Sequence, residues 1–459
     1  MLIQHLKAVT LSAALVFSPA ILAAETLTDA LISAYRHSGL LDQQRALLRA
    51  ADEDVAIAVA ALRPAINYSI SEKWTNSQPF PGASVSLSAT LSASLLVFDF
   101  GRSELGIALA RENVLATREM LGGVEQQVLL RAVSAFLNVR SAAETASLQA
   151  NNVRLITEEL RAAQDRFEVG EITQTDVSMA RARLAGAKAA EAAAAGNLLI
   201  AREEYKAATG HYPSTLSAPP TPPVTVSTLG EARALGRRRH PDMLVGQRNV
   251  TISEMNVQMA LLGMKPTINA TGSTTYSHTF GGSDTTNNQL GVTLQGPIYQ
   301  GGRMSALYRK SQAMRDATRA GLHVTQMGVD QNISNAWAQL AIAAASLEAT
   351  QRQIRASTVA LRGAREEQSL GARTTLDVLN AEQTLLDARA SSITAQSDQY
   401  NAVYRLLASM GLLTVEHLRL GIATYDPEAY YNAVKSAPVH QVSPQGERLD
   451  AVIKALGLE

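Results

Sequence analysis

Leu370-Gly371-Ala372-Arg373-Thr374-Thr375-Leu376-Asp377-Val378-Leu379-Asn380-Ala381 decides the fold, because the chain carries this pattern twice. The earlier copy is Val169-Gly170-Glu171-Ile172-Thr173-Gln174-Thr175-Asp176-Val177. Both read Gly-x-x-Thr-x-x-Asp-Val: a turn, a threonine able to cap a helix, and a carboxylate in the first helical turn. Other pairs flank them. Thr26-Leu27-Thr28-Asp29 matches Thr228-Leu229-Gly230-Glu231, and both read as capping boxes. Arg63-Pro64-Ala65-Ile66-Asn67 matches Lys265-Pro266-Thr267-Ile268-Asn269. Phe98-Asp99-Phe100-Gly101-Arg102 matches Tyr299-Gln300-Gly301-Gly302-Arg303, and Thr209-Gly210 matches Met410-Gly411. The offset stays at 201 or 202, so the chain is one unit of about 200 residues used twice.

Proline punctuates each unit in the same way. There is none between Gly82 and Tyr212, and none between Ile298 and Asp426. A helix interior excludes proline, so these tracts are expected to be long helices. Arg102 to Arg166 alone would span ~100 Å as an unbroken helix. Its partner, Asp176 to Thr209, is alanine-rich and permits close backbone approach. Arg303 to Glu367 and Asp377 to Met410 repeat the arrangement. A preceding helix is expected from Leu27 to Leu62, stopped by Pro64.

Between the helices lie alternating stretches. Val85, Leu87, Ala89, Leu91, Ala93, Leu95 and Val97 share one face, and Ser84, Ser86, Ser88, Thr90, Ser92 and Ser94 the other. That is a strand with one apolar and one small polar face. Strands are expected at about 65–75 and 84–98, joined through Asn76 to Gly82, and at about 267–280 and 288–299, joined through Gly281 to Asp284. Leu290, Val292, Leu294 and Ile298 mark the last one. Such hairpins suit a soluble sheet, a sheet covered by a partner, or a membrane β-barrel. Aromatic residues at the strand ends (Trp74, Phe80, Phe98, Phe100, Tyr276, Phe280 and Tyr299) favour the barrel. Four strands cannot close one, since about eight are needed, so three chains would have to share twelve.

Composition narrows the class. With 41 basic and 41 acidic side chains there is no electrostatic case for a nucleic-acid partner. With no cysteine there is no disulfide, thiolate metal site or cysteine nucleophile. Residues 1–24 read as a secretory signal peptide: Lys7, an apolar run from Ala8 to Ile21, then Ala23-Ala24 before Glu25. No later stretch is apolar for long enough to cross a membrane as a helix. The expected organisation is a leader (1–24), a first repeat (25–212), a Pro-rich linker (213–227), a second repeat (228–420) and a tail (421–459). The tunnel-forming helices are expected at about 101–209 and 302–411.

Together, the leader, the duplicated unit and the repeated turn resemble the TolC-type outer-membrane factor family over roughly residues 25–420. The resemblance implies a mainly α protein with a membrane β-barrel: a homotrimeric 12-stranded barrel in outer-membrane lipid of a Gram-negative bacterium, continuous with a helical periplasmic tunnel. It implies an exit duct for efflux or type I secretion, served by a periplasmic adaptor protein and an inner-membrane RND pump or ABC transporter. By the same resemblance the two turns lie at the periplasmic entrance. Asp377 matches an aspartate that rings the opening, and Asn380 occupies a position acidic in some relatives. Arg373 matches a residue that holds the closed state by pairing with the other hairpin, where Thr175 and Asp176 are the candidates. Gln368 stands where some relatives have a latch tyrosine. The adaptor-docking tips would be Val169, Gly170, Glu171, Thr173, Leu370, Gly371, Ala372 and Thr374. Helix capping accounts for Thr173, Asp176, Thr374 and Asp377 structurally, and gating would be an additional role.

Enzymatic readings lack residues. The eight histidines are scattered without ligand spacing. Gly301-Gly302-Arg303 lacks the lysine and glycine spacing of a phosphate loop, and no Gly-x-Ser-x-Gly elbow occurs. No cofactor is expected. The alternative to a channel is an envelope scaffold that bridges membranes through helical hairpins. In the tail, one short helix is expected at Leu449 to Leu458, and Tyr425-Asp426-Pro427 resembles members serving type I secretion.

Overall fold

A computed structural model describes residues 24–76, 83–223, 226–439, 441 and 444–455. The leader and most of the first hairpin turn therefore lie outside the described residues. Each unit runs helix, helix, strand, strand, long helix, helix. The first contains α1 (Leu27–His37), α2 (Gly39–Ala60), β1 (Ala65–Asn76), β2 (Ala83–Phe98), α3 (Arg102–Glu168) and α4 (Gln174–Thr209). The second contains α5 (Leu229–Arg239), α6 (Pro241–Leu262), β3 (Thr267–Thr279), β4 (Thr285–Gln295), α7 (Arg303–Ser369) and α8 (Thr375–Ser409).

Three expectations need correction. The helix expected from Leu27 to Leu62 is two helices. Ser38 is extended (φ −79°, ψ 105°), and its hydroxyl accepts from Leu41 N at 3.3 Å, which starts α2 afresh. His240 and Pro241 make the same break in the second unit. The last strand begins at Thr285 and ends at Gln295, because Pro297 cannot donate to a ladder; Ile298 lies beyond it. The tail holds two helices, α9 (Pro427–Val434) and α10 (Pro444–Ala455), each opened by a proline suited to the first helical position.

The four strands form one antiparallel sheet in the order β1-β2-β3-β4, with β1 and β4 as open edges. Register places Thr90 opposite Thr275 and Ser88 opposite Ser277, and each pair of hydroxyls meets at 3.0 Å. Leu91, Ala89 and Ala93 therefore share the other face with Thr274, Tyr276 and Gly272. That apolar face is uncovered among the described residues: Tyr68 is 82% and Leu290 90% exposed.

Both long helices start from a left-handed corner. Phe100 and Gly101 have φ of 59° and 85°, and Gly301 and Gly302 have 57° and 84°. In the first unit Asp99 caps the corner, accepting from Gly101 N at 3.1 Å and Ser103 N at 2.7 Å. At 67 residues each, α3 and α7 are ~100 Å long. The helix α3 packs on α2 and α6 near the strands, and on α4 and α8 further away.

The main core lies at a waist partway along these helices. Leu129, Val133 and Phe136 of α3 meet Leu27 and Leu31 of α1, Tyr205 of α4, Ile333 of α7 and Leu406 of α8. Gly210 and Gly411, both at positive φ, allow the ends of α1 and α5 to approach. A Cβ on Gly411 would sit 2.5 Å from the Arg239 carbonyl oxygen. The linker is tied in where Glu25 N donates to Thr215 O at 2.8 Å. Thr26 makes a full capping box, whereas Thr228 makes half of one, because the Glu231 carboxylate accepts from Ser227 instead.

The tail folds back along α2 towards the sheet. Arg45 lies against the rings of Tyr35 and Tyr425, at 5.3 and 5.6 Å. Tyr430 donates to Glu53 at 2.9 Å, Arg118 meets Glu428 at 3.4 Å, and Arg63, just before β1, donates to the Ala437 carbonyl. Beneath this strap Asp52 is fully buried, and its carboxylate finds no hydrogen bond among the described residues. Burial pushes its pKa from 3.8 up to about 6; Arg118 opposes the shift and Glu53 adds to it. The cost of burying the charge is therefore absent in acid, grows as pH rises from about 4 to 6, and stays constant above. Asp52→Asn should stabilise the protein by about 2–3 kcal/mol at pH 8 and change little at pH 4, measured by denaturant unfolding at both values.

Candidate channel entrance

The α3–α4 and α7–α8 turns are built alike. Each long helix ends on a glycine at positive φ, Gly170 (81°) and Gly371 (76°). Orphaned carbonyls are closed by Glu171 N to Arg166 O and by Ala372 N to Glu367 O, both at 2.9 Å. Thr173 N donates to Asp176 Oδ2 and Thr374 N to Asp377 Oδ2, both at 3.0 Å, and each threonine hydroxyl accepts from its aspartate's N–H. Hydrogen bonds from the Thr374 backbone and hydroxyl hold the exposed Asp377 carboxyl below the usual carboxylate range. It therefore stays charged at neutral pH. At the apex of each turn an aliphatic side chain stands in the open: Val169 is 73% and Leu370 83% exposed.

The candidate latch residues are arranged differently within one protomer. Arg373 pairs with Glu367 on its own hairpin, at 2.5 Å, and the described residues hold no ion pair between it and Asp176. Asp176 is engaged by Thr173, and Thr175 is exposed. Gln368 donates to Thr375 at 3.2 Å, again inside its own hairpin. Asn380 does cross: its side-chain oxygen accepts from Arg183 of α4 at 2.8 Å.

A second crossing lies beside it, about half a turn further along α8. Arg365 of α7 donates to Glu382 of α8 and lies 3.8 Å from Glu159 of α3. The Glu382 side chain is almost buried. The Glu159 carboxyl is pushed up by burial and then by the charge of Glu382, while Arg365 opposes both. Ile156, Ala187 and Leu379 form a small apolar cluster between the same hairpins, beside a cavity of about 510 Å³. Reasoning from sequence missed Arg183, Glu159, Arg365 and Glu382. The available signal was Glu382 itself, a carboxylate set among the buried Val378, Leu379, Leu385 and Leu386 of α8.

Among the described residues no group of three or more His, Asp or Glu side chains could hold a metal ion. Among the described residues no helix is long and apolar enough to cross a membrane.

Comparison with known proteins gives a consistent answer. The family described as Outer membrane efflux protein matches residues 31–211 and 234–412, one match per repeat. The chain is 36% identical over 429 residues to the outer membrane efflux protein BepC of Brucella suis, covering 92% of this chain and 93% of that one. It is 25% identical over 349 residues to the outer membrane protein TolC of Escherichia coli, covering 72% and 70%. The crystal structure of the outer membrane protein VceC of Vibrio cholerae shares its fold, with a TM-score of 0.71 at 18% identity, covering 84% of this chain and 96% of that one. The chain belongs to the outer membrane efflux protein family, of the TolC type, and is an outer-membrane protein with a large periplasmic helical part.

Proposed function

We propose that three copies of this chain form a gated conduit from the periplasm through the outer membrane. The carrying observation is the sheet: two open edges and an uncovered apolar face, continuous with helices ~100 Å long. In lipid an unpaired strand edge is prohibitively costly, so the edges must meet those of other chains. Twelve strands from three chains fall within the size range of closed outer-membrane barrels. The helices have open edges of their own. On α7, Met314, Val324, Met327 and Ile342 are exposed, as are Leu47 and Ile57 of α2 and Leu199 and Ile200 of α4. Pairing α7 with a neighbour's α2 and α4 would cover all of these.

The turn tips would then point into the periplasm. Val169, Gly170, Glu171 and Thr173, with Leu370, Gly371, Ala372 and Thr374, form the surface on which an adaptor protein would dock. An inner-membrane RND pump or ABC transporter would supply the cargo. BepC is an efflux protein by name, and AprF of Pseudomonas aeruginosa, 24% identical over 352 residues, is an alkaline protease secretion protein. The close identity to BepC favours efflux.

At the mouth, three Asp377 carboxylates would attract cations. Arg373, with Thr175 and Asp176 of an adjoining hairpin, would latch closed protomers together, and Gln368 and Asn380 would tune that contact. Within each protomer, Arg183–Asn380 and Glu159–Arg365–Glu382 would hold the two hairpins side by side.

Removing Arg365 leaves two carboxylates facing each other across the hairpins. Arg365 is about half exposed and Glu159 partly so, although Glu382 is nearly buried, so ~1–2 kcal/mol per protomer is a reasonable scale, added three times in one concerted closure. Arg365→Gln should raise single-channel conductance in planar bilayers, and acidification should reverse the rise by neutralising Glu159. Asp377→Asn should reduce cation selectivity without opening the channel. A trimer of normal conductance carrying Arg365→Gln would remove this cluster from the gate.

On the sheet, Leu91→Arg places a charge towards lipid and should cost roughly 2–4 kcal/mol, whereas Thr90→Arg points into the lumen and should be far milder. Equal loss of membrane-assembled trimer from the two variants would refute the barrel orientation.

A further inference from the structure

Four helices of one chain wall a cavity of about 690 Å³ at the waist, where α6 begins and α8 ends between α3 and α7. The apolar side chains that α7 leaves for a neighbour, Met314, Val324, Met327 and Ile342, do not line it. Its lining is rich in side-chain amides instead. Gln126 and Gln127 come from α3, and Asn332, Asn335 and Gln339 from α7, with Arg405 of α8 beside them. None of the six makes a side-chain hydrogen bond or ion pair among the described residues.

Exposure accounts for five of them as solvated surface. Gln126 is different, because only 7% of it is exposed while its side chain lines the cavity. An unmet buried amide costs about 1–3 kcal/mol unless something in the cavity bonds to it. Helix packing does not ask for the amide either. At the offset of 201 that relates Arg102 to Arg303, Gln126, Gln127 and Asn335 correspond to Met327, Gly328 and Ser134. The amides therefore belong to this cavity and not to the repeat.

Charge and hydrogen-bonding capacity define what fits. Arg405 and Asp242 bring one charge of each sign, and burial pushes the His240 imidazole down, so the lining is neutral as a whole. Each amide offers a carbonyl acceptor and two N–H donors. A hydroxyl group both donates and accepts, so the complement of a dense amide set is a polyol. Leu130, Pro241, Ala336 and Ala402 supply apolar patches for the C–H faces of sugar rings. The volume lies within the ordinary range of small-molecule sites.

We propose that this cavity binds a neutral saccharide of two or three rings, with Gln126 bonded to a ring hydroxyl and the exposed amides closing on its other hydroxyls. The site is complete within one chain, so it and the conduit can fail independently.

The test uses the full-length protein in lipid nanodiscs, free of glycoside detergents that would compete. Maltotriose is the probe and saturation-transfer NMR the readout. The unaltered protein should bind maltotriose saturably. Gln126→Leu, which keeps the bulk and removes the amide, should weaken binding by about tenfold or more. Asn332→Ala/Gln339→Ala, at two exposed positions that folding does not need, should do the same. Arg405→Gln should change little, and a loss as large as that of Gln126→Leu would make the ligand an anion and overturn the neutral class. Tetraglycine binding as tightly as maltotriose would mean that the amides read a peptide backbone, which also overturns it. Retention on amylose resin, released by maltotriose, would assign a glycan chain, and maltotriose binding without retention a free saccharide; both support the site. No saturable transfer, or equal binding by every variant, would overturn the site and leave the conduit, read as bilayer conductance, untouched.

Discussion

Backbone hydrogen bonds at the edges of a four-stranded sheet govern this molecule. β1 and β4 each present an edge row of N–H and C=O groups that no other strand pairs among the described residues. In water such groups are solvated; in hydrocarbon they must be paired within protein. The sheet's apolar face draws it into lipid, and its edges then require other chains. The open flanks of α2, α4 and α7 follow the same logic further down, where apolar side chains await neighbours rather than a core. On the proposed trimeric reading, a single chain is an incomplete object whose exposed apolar surface is reserved for assembly.

Duplication explains how so long a structure is specified by so few local devices. The same left-handed corner starts α3 and α7, the same glycine stops them, and the same threonine–aspartate box starts α4 and α8. Where the copies depart, the geometry persists by other means. Gly301 occupies a left-handed position that Phe100 must reach with a side chain, and there Asp99 supplies hydrogen bonds to hold the corner. Ser38 and Pro241 likewise break the chain at equivalent points, one by its hydroxyl and the other by its ring.

The legible parts of the fold are those set by local periodicity or by a turn. Alternation from Ser84 to Val97 and the two Gly-x-x-Thr-x-x-Asp turns are of this kind, and together with proline-free length they reveal the architecture. The break at Ser38 was hidden because serine is tolerated within helices; only Pro241 in the matching segment, one residue beyond Ser38's counterpart His240, signals it. Tail docking through Tyr425 and Tyr430 was hidden because it joins residues hundreds of positions apart. At the α3–α4 and α7–α8 turns the capping residues are legible, while the Glu159–Arg365–Glu382 contact depends on how α3, α7 and α8 are rotated against one another. No local spacing encodes that rotation.

The central claim, that β1 of one chain pairs with β4 of another to close a three-chain barrel, is open to a direct measurement. The chain has no cysteine, so introduced pairs report without background. Cysteines placed in combination at Ile66, Tyr68 or Ile70 of β1 and Leu290, Val292 or Leu294 of β4 should, for the pairs in register, oxidise in membranes to covalent species ending at the trimer. A ladder extending beyond three chains, or crosslinks confined to single chains, would contradict the account.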